Sequence, residues 1–489
     1  MTKRIWFVGQ AAKTSPSHGE NRGSIPLRTA EGTASEDSDV VFFVHGFMPP
    51  AYINHEDVFG WLTMDNSTMD NTPINHTNNM GEQGFLRFEI CSSLGQIPVA
   101  DAHITITATG GTEAPQVELE TDGYGMTDAV SLYAPALAYS MEPTDNQPYS
   151  EYNVRITASG YEERYISGVQ IFSGELAIQI AQMRPVQGEE AAYDPIVIDA
   201  HTLWEEYPPK IPEDEIKSTV GSGEIVLPQV VVPEYIVVHD GVPSDDTAQN
   251  YYVRYKDYIK NVASCEIYST WPEASIEANV LAIMSFTLNR VYTEWYRNQG
   301  KSFTITSSTA YDHKWIYGKS TYESIDAVVD RLFTSYLSRP NVKQPILTQY
   351  CDGKRVSCPN WMSQWGSKYL ADQNYTAIQI LKNYYGDTIY INTAEAVSGV
   401  PLSWPGYALE NGSSGDAVRT IQEQLNRIAQ NYPAIPRVAV DGVYGPATAA
   451  SVTEFQRIFK LPQTGVVDYR TWYKISEIYV GVTRIAELQ

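Results

Sequence analysis

Tyr258-Ile259-Lys260-Asn261-Val262-Ala263-Ser264-Cys265-Glu266-Ile267-Tyr268-Ser269-Thr270-Trp271-Pro272-Glu273 is the stretch on which the reading of this chain turns. After it, Ile276, Val280, Ile283, Thr287, Leu288, Val291 and Trp295 recur at steps of mostly three and four residues. That spacing predicts a long helix with one buried stripe. Two carboxylates therefore sit at or just ahead of the start of a core helix, and they are not equivalent. Thr270 to Glu273 reads as a capping box, with Thr270 at the N-cap and Glu273 reaching back to its amide, which gives Glu273 a structural explanation. Glu266 lies among Cys265, Ile267, Tyr268 and Trp271, where a carboxyl is partly desolvated, and desolvation favours the protonated form that a general acid needs. From the residues alone, a salt bridge or a turn role for Glu266 stays open beside that reading.

Outward from this stretch, composition sets the bounds. At 489 residues the chain exceeds what one hydrophobic core supports, so about three domains are expected. The formal charge of -24 argues against nucleic acid as a partner, since phosphate binding needs clustered Lys and Arg. Acidity gives no attraction to anionic lipid or to other acidic surfaces either. Any glycan affinity should come from hydrogen bonds and aromatic stacking, a role that the 34 Tyr and 10 Trp suit. No window is long and apolar enough for a membrane helix and the N-terminus shows no signal-peptide core, so a soluble chain outside the general export route is expected. Cys91, Cys265, Cys351 and Cys358 are too scattered for a disulfide framework, and reduced thiols are the expectation. Cys351 and Cys358 do not have zinc-knuckle spacing, and His313 after Asp312 is an isolated imidazole. A free thiol pair or a local disulfide is the reading, with no metal and no cofactor.

Organisation follows from changes of pattern. Residues 1–83 form an extension without sustained period. Its Val44-His45-Gly46-Phe47 run is similar to an oxyanion loop of serine hydrolases, but no G-x-S-x-G elbow follows and that reading is set aside. Residues 84–189 alternate in short strands, such as Leu86 to Ile90 and His103 to Thr107, separated by turns at Asp122-Gly123 and Ser159-Gly160. An antiparallel β-sandwich is expected there, resembling the carboxypeptidase-regulatory or transthyretin-like type, as an interaction or inhibitory module or a plain spacer. Residues 190–234 are Pro-rich and acidic around Tyr207 to Glu215, which predicts an exposed linker open to proteolysis. Residues 235–400 read as an α+β catalytic domain. Residues 401–489 repeat a turn-helix unit, with Asp441-Gly442-Val443-Tyr444-Gly445-Pro446 ahead of the second helix, and predict a three-helix bundle. The fold class is thus multidomain α+β: sandwich, central catalytic domain, C-terminal bundle.

Two separated blocks carry a resemblance. Tyr258 to Pro272 is similar to Y-V-x-x-V-x-x-x-E-M-P-x-x-W-P, with Ile267 and Tyr268 in place of M-P. Trp361-Met362-Ser363-Gln364-Trp365-Gly366, followed by Ile380-Leu381 and Tyr384-Tyr385-Gly386, is similar to G-M-S-Q-W-G and I-L-x-x-Y-Y. Both blocks resemble the stage II sporulation protein D (SpoIID) type of lytic transglycosylase. Glu234 to Gly241 and Gln349 to Lys354, with the flanking modules, resemble the germination-specific spore cortex-lytic enzymes of clostridia (SleC type). The C-terminal segment, with D-G-x-x-G-x-x-T and F-Q elements, resembles the widespread peptidoglycan-binding domain.

The resemblance implies cleavage between N-acetylmuramic acid and N-acetylglucosamine, the muramic C6 hydroxyl attacking its own anomeric carbon to leave an anhydro sugar. An internal nucleophile removes the need for the second carboxylate of ordinary glycosidases. Glu266 matches the first Glu of the family pattern and is the expected acid and base. The second falls on Ala274, with Glu273 displaced by one position. Glu273, Asp352, Gln364 and Trp365 are expected in the cleft, and Asp441, Gly442, Tyr444 and Gly445 at the glycan surface of the wall anchor. The partners implied are peptidoglycan strands and an activating subtilisin-like protease that cuts the linker of a stored precursor, located in the spore at the wall or cortex. The rivals are a non-catalytic wall-binding spore protein that keeps the scaffold and an amidase or peptidase acting on stem peptides.

Overall fold

The computed structural model describes residues 82–111, 116–186, 195–217, 226–356, 358–399 and 404–483. The expectations for the extension, including the Val44 to Phe47 run, lie outside the described residues.

The sandwich comprises β1 (Glu82–Ser92), β2 (His103–Ala108), β3 (Val117–Glu120), β4 (Val130–Ala134), a one-turn helix α1 (Ala138–Met141), β5 (Tyr149–Thr157), β6 (Arg164–Phe172) and β7 (Leu176–Met183). One sheet runs β4-β1-β7 and the other β3-β2-β5-β6. Leu86, Phe88 and Ile90 of β1 face Ile104, Ile106, Val154 and Ile156 in the core, all buried. The period of two seen in the sequence fixes that facing, because a one-residue slip would turn every apolar side chain to water. The Asp122-Gly123 turn closes as expected, its carboxylate accepting the amides of Tyr124 and Met126 at 2.8 and 3.0 Å. Gly125 has φ +73°, and a Cβ there would lie 2.2 Å from the Ile90 carbonyl oxygen. The expectation of a wholly antiparallel sandwich is corrected: β1 and β7 pair in parallel over Phe85 to Ser92. Parallel neighbours need a long crossover, and the second sheet supplies it.

Neither sheet stops at the sandwich. Thr321–Tyr322 from the central region adds to β7, and β8 (Ile196–Val197) adds in parallel to β6. The Phe172 ring packs on Tyr268 and Tyr322 at 5.4 and 5.3 Å, and Trp271 Nε1 donates to the Ser140 carbonyl at 3.0 Å. The sandwich is therefore built into the wall behind Glu266 and is not a plain spacer.

Five helices organise the central region: α2 (Tyr255–Glu266), α3 (Glu273–Tyr292), α4 (Glu323–Leu332), α5 (Gln364–Asp372) and α6 (Ala377–Tyr385). The single buried stripe expected for α3 is corrected, since every residue from Ala278 to Arg290 is buried. A helix surrounded on all sides must satisfy its polar side chains inside the protein. Asn279 donates to Ser367 Oγ at 2.8 Å, Ser285 to the Ile346 carbonyl at 2.9 Å and Asn289 to the Pro345 carbonyl at 2.7 Å. The capping box is also corrected. Pro272 is the N-cap and makes no side-chain cap, while the Thr270 hydroxyl is taken by Ser140 Oγ of the sandwich at 2.8 Å. Glu273 is left on the surface, 68% exposed, paired with Arg331 at 2.9 Å.

The larger correction concerns the Pro-rich segment. Its described part is a strap bound along the central region rather than a free linker. His201 and Leu203 are buried. Glu213 forms a two-pronged pair with Arg290 of α3 at 2.9 and 2.6 Å, and Glu215 one with Arg339 at 2.6 and 2.7 Å. The Ile211 amide donates to the Ala310 carbonyl at 2.8 Å, and Val231–Val232 pairs with Ala396–Val397. The acidic residues read as a solvated run are the strap's anchors.

The C-terminal bundle is α7 (Asp416–Ile428), α8 (Pro446–Ile458) and α9 (Tyr469–Thr483). Val418, Ile421, Leu425, Val452, Phe455 and Trp472 fill its core. It docks on the first turn of α2: Lys256 reaches Asp330 of α4 at 2.9 Å and Glu477 of α9 at 3.0 Å, and Lys260 reaches Asp330 at 3.2 Å. Among the described residues, no helix is long and apolar enough to cross a membrane.

Candidate functional site

Glu266 is the last residue of α2, where Ile267 leaves the helix in an extended conformation. It is only 8% exposed. Oε1 accepts the Lys314 amide at 2.7 Å, and Oε2 accepts Gln364 Nε2 at 2.9 Å; the same Nε2 lies 2.7 Å from the Glu266 carbonyl. Gln364 can do this because it opens α5, whose N-cap Ser363 accepts the Gly366 amide at 2.9 Å and fixes the turn. Two residues far apart in sequence are thereby joined at one carboxylate. Among the described residues Glu266 makes no ion pair, and its side chain borders a pocket together with Lys314, Tyr350, Asp352 and Gln364.

The strap closes this pocket from the other side with His201, Tyr207 and Lys210. Burial, and after it Lys319, pushes His201 down to about 3, so the ring is neutral. Its Nε2 faces the Cys265 carbonyl, which can only accept, so that nitrogen carries the proton and ties the strap to the end of α2. Its Nδ1 faces the Tyr207 hydroxyl at 2.8 Å. Lys210 Nζ donates to the Asp312 carbonyl at 2.6 Å and lies 4.5 Å from the centre of the Tyr350 ring. Burial lowers the Lys210 pKa, opposed first by Glu266 and then by Asp312. Burial and then the Glu266 carboxylate hold the Tyr350 phenol well above its ordinary range.

The other residues named from the sequence divide. Asp352 borders the pocket, but its carboxylate accepts the amides of Lys354, Arg355 and Val356 at 3.2, 3.0 and 2.9 Å, so it shapes its own loop. A disulfide joins Cys351 to Cys358 around that loop, the local disulfide that the sequence leaves open beside a free thiol pair, so the general expectation of reduced thiols is corrected at this pair. Cys265 and Cys91 are free, and burial raises them to about 11 and about 12. Trp365 packs behind the site against Trp271 and Tyr268, with ring centres 4.9 and 5.9 Å away, and Glu273 stands outside it. His201, Tyr207 and Lys210 went unread because Pro and acidic composition masked them. Lys314 acts through its backbone amide, which no side-chain pattern reveals. Among the described residues, no group of three or more His, Cys, Asp or Glu is placed to hold a metal ion.

In the bundle, the Asp441 carboxylate accepts the Val443 amide and Gln422 Nε2, both at 2.9 Å, and these bonds hold it below the usual carboxylate range. The Gly442 amide donates to Gln422 Oε1 at 2.8 Å. Gln456 repeats the device, accepting the Gly465 amide at 2.9 Å and donating to the Val466 carbonyl at 2.9 Å. Tyr444, expected at the glycan surface, is corrected to a core residue: it is 1% exposed and its hydroxyl donates to the Gly465 carbonyl at 2.9 Å. Gly445 is the N-cap of α8. The turn motif thus builds the bundle.

Residues 414–475 match the family model of the peptidoglycan binding domain. The chain therefore carries a segment of the peptidoglycan-binding domain family. Among curated relatives, the zinc D-Ala-D-Ala carboxypeptidase of Streptomyces albus G is 40% identical over 77 residues, which is 16% of this chain and 28% of that protein. An uncharacterised protein of Kitasatospora aureofaciens is 40% identical over 68 residues, 14% of this chain and 53% of its own length. The chain thus spans between about a quarter and about half of these relatives. Among solved structures, the SleB N-terminal domain is 26% identical over 16% of this chain and 99% of its own, with a TM-score of 0.14. At that score the likeness carries no argument about architecture.

Proposed function

We propose that this chain is a peptidoglycan lytic transglycosylase that cuts glycan strands, the spore cortex being the expected substrate, with Glu266 as acid and then base. The observation that carries the proposal is a buried carboxyl bordering a pocket and, among the described residues, free of any ion pair, one oxygen accepting the Lys314 amide and the other Gln364 Nε2. An ionised carboxylate oxygen accepts in two directions, so these two bonds leave the carboxyl able to take a proton. In the reaction Glu266 gives its proton to the glycosidic oxygen as the bond to the muramic anomeric carbon breaks. The muramic O6 bonds to that carbon, and its proton passes to the Glu266 carboxylate. The peptidoglycan-binding domain supports the substrate class, and its contact with α2 supports a role beside the active site.

Glu266→Gln tests the reading. It sets an NH2 group against one of the two donors and costs roughly 1–3 kcal/mol, so retained wall binding and an unchanged circular dichroism spectrum are the folding controls. Mass spectrometry of digested cortex is expected to show anhydromuramyl ends with the wild type and none with the variant. Equal release by both would move the catalysis to another residue, and release by neither would leave the non-catalytic rival standing. Products cut in the stem peptide, without anhydro ends, would favour the amidase or peptidase.

Precursor control belongs to the same proposal. The sandwich holds Tyr268 and Trp271 beside Glu266, so removing it after cleavage by a subtilisin-like protease would alter the site's rear wall. Incubating intact and cut protein with cortex decides this, and equal rates would reject it.

A further inference from the structure

A lysine drawn partly out of water normally finds a carboxylate or stretches fully to the surface. Lys210 does neither. Its ammonium spends one donor on the Asp312 backbone carbonyl and sits over Tyr350. The Asp312 carboxylate does not neutralise it, being committed to Arg290 Nε at 2.7 Å, the Tyr296 hydroxyl at 2.7 Å and the Thr306 amide at 2.9 Å. Two carboxylates border the pocket that Lys210 shares, Glu266 and Asp352, and three backbone amides already satisfy Asp352. The remaining one is Glu266. The backbone that carries the ammonium is held as well. Immediately after Lys210, the Ile211 amide is bonded to Ala310, its carbonyl to Gln349 Nε2 at 2.7 Å, and Glu213 is locked on Arg290.

From this geometry we infer that Lys210, carried on the anchored strap, is a positioning residue for the reaction: a cation bordering the same pocket as Glu266 that stabilises its carboxylate between giving up one proton and taking the next. The inference rests on the proposed role of Glu266. In that interval the proton is on the departing oxygen and the new proton is still on O6, so Glu266 carries a full negative charge in a site with little water. A cation several ångströms away through an effective dielectric of about 20 offsets that charge by an amount worth about a hundredfold in rate. It touches neither reacting oxygen and moves no proton itself.

The test is Lys210→Met beside Lys210→Arg, assayed by single-turnover release of anhydromuramyl ends from purified glycan strands. Methionine keeps the stem and removes the charge, so kcat is expected to fall about a hundredfold, with KM changed less than about threefold and the melting temperature not lowered. Arginine restores the charge and is expected to recover turnover to within about tenfold of wild type. A lysine with a merely structural role would give the opposite pattern: turnover kept by methionine, or lost equally in both variants together with stability. Either result overturns the assignment. Glu266→Gln runs in parallel: if it is inactive while Lys210→Met is fully active, only the lysine's role fails. A wild type that releases no anhydro ends sinks the underlying reading as well.

Discussion

Replacing Arg290 with methionine tests whether the strap belongs to the folded catalytic unit. The guanidinium is fully buried between Asp312, also fully buried, at 2.7 Å and Glu213 at 2.6 Å. Burial opposes its charge, but Asp312 and Glu213 outweigh that and hold it ionised. Methionine leaves Asp312 out of water with no ion pair, while Glu213 keeps only Lys217 at 2.5 Å. Removing one partner of a buried pair costs about 3–5 kcal/mol, a large share of the roughly 5–15 kcal/mol that holds a domain together. Urea unfolding followed by tryptophan fluorescence should show the first transition moved by about that amount. Limited proteolysis should cut between Thr202 and Lys217 in the variant before the rest of the chain opens. Glu213→Gln, which removes only the outer carboxylate, should expose the same segment at a smaller cost of about 1–2 kcal/mol. A shift of under about 1 kcal/mol for Arg290→Met, with the strap no easier to cut, would refute the anchoring and restore the exposed linker.

Two further outcomes follow from the contacts. Burial is the first cause that raises Asp326 to about 6 from the ordinary 3.8, with Lys260 opposing it and Asp330 adding to it. The folded protein therefore holds that proton more tightly than the unfolded chain, and stability is lost as pH rises through this window. Asp326→Asn should stabilise by about 2–3 kcal/mol above pH 6 and by nothing near pH 3.5, read as unfolding midpoints across pH; a gain that grows toward acid would reverse the sign. Tyr444→Phe should cost about 1 kcal/mol through the lost bond to Gly465 while leaving sedimentation with purified wall unchanged, and a loss of wall binding in a folded variant would return Tyr444 to the glycan surface.

What the sequence disclosed and what it hid divide along one physical line. The strands of the sandwich and the three C-terminal helices were legible because their periods are local: Leu86, Phe88 and Ile90 alternate, and Val418, Ile421 and Leu425 fall on one helix face. The length of α3 was legible for the same reason. Its burial on all sides was not, because Asn279, Ser285 and Asn289 read as polar until their partners Ser367, Ile346 and Pro345 arrive from elsewhere. The capping box failed when the sandwich claimed the Thr270 hydroxyl. The strap failed for a similar reason, its acids answering Arg290 and Arg339, which lie 77 and 124 positions away. Of the candidate site, the two positions that touch, Glu266 and Gln364, came from separate sequence blocks, while the contributions of His201, Tyr207 and Lys210 depend on contacts no short motif records.

The same helix that ends in Glu266 begins at the anchor. Lys256 grips Glu477 of the wall-binding bundle, and at about 1.5 Å per residue the acid sits roughly 15 Å along a rigid rod from that grip. On the proposed reading, a chain built this way behaves as a ruler: wherever the bundle takes hold of a strand, the place of scission is set at a constant offset, and a swarm of such molecules would leave fragments of recurrent length instead of a random distribution.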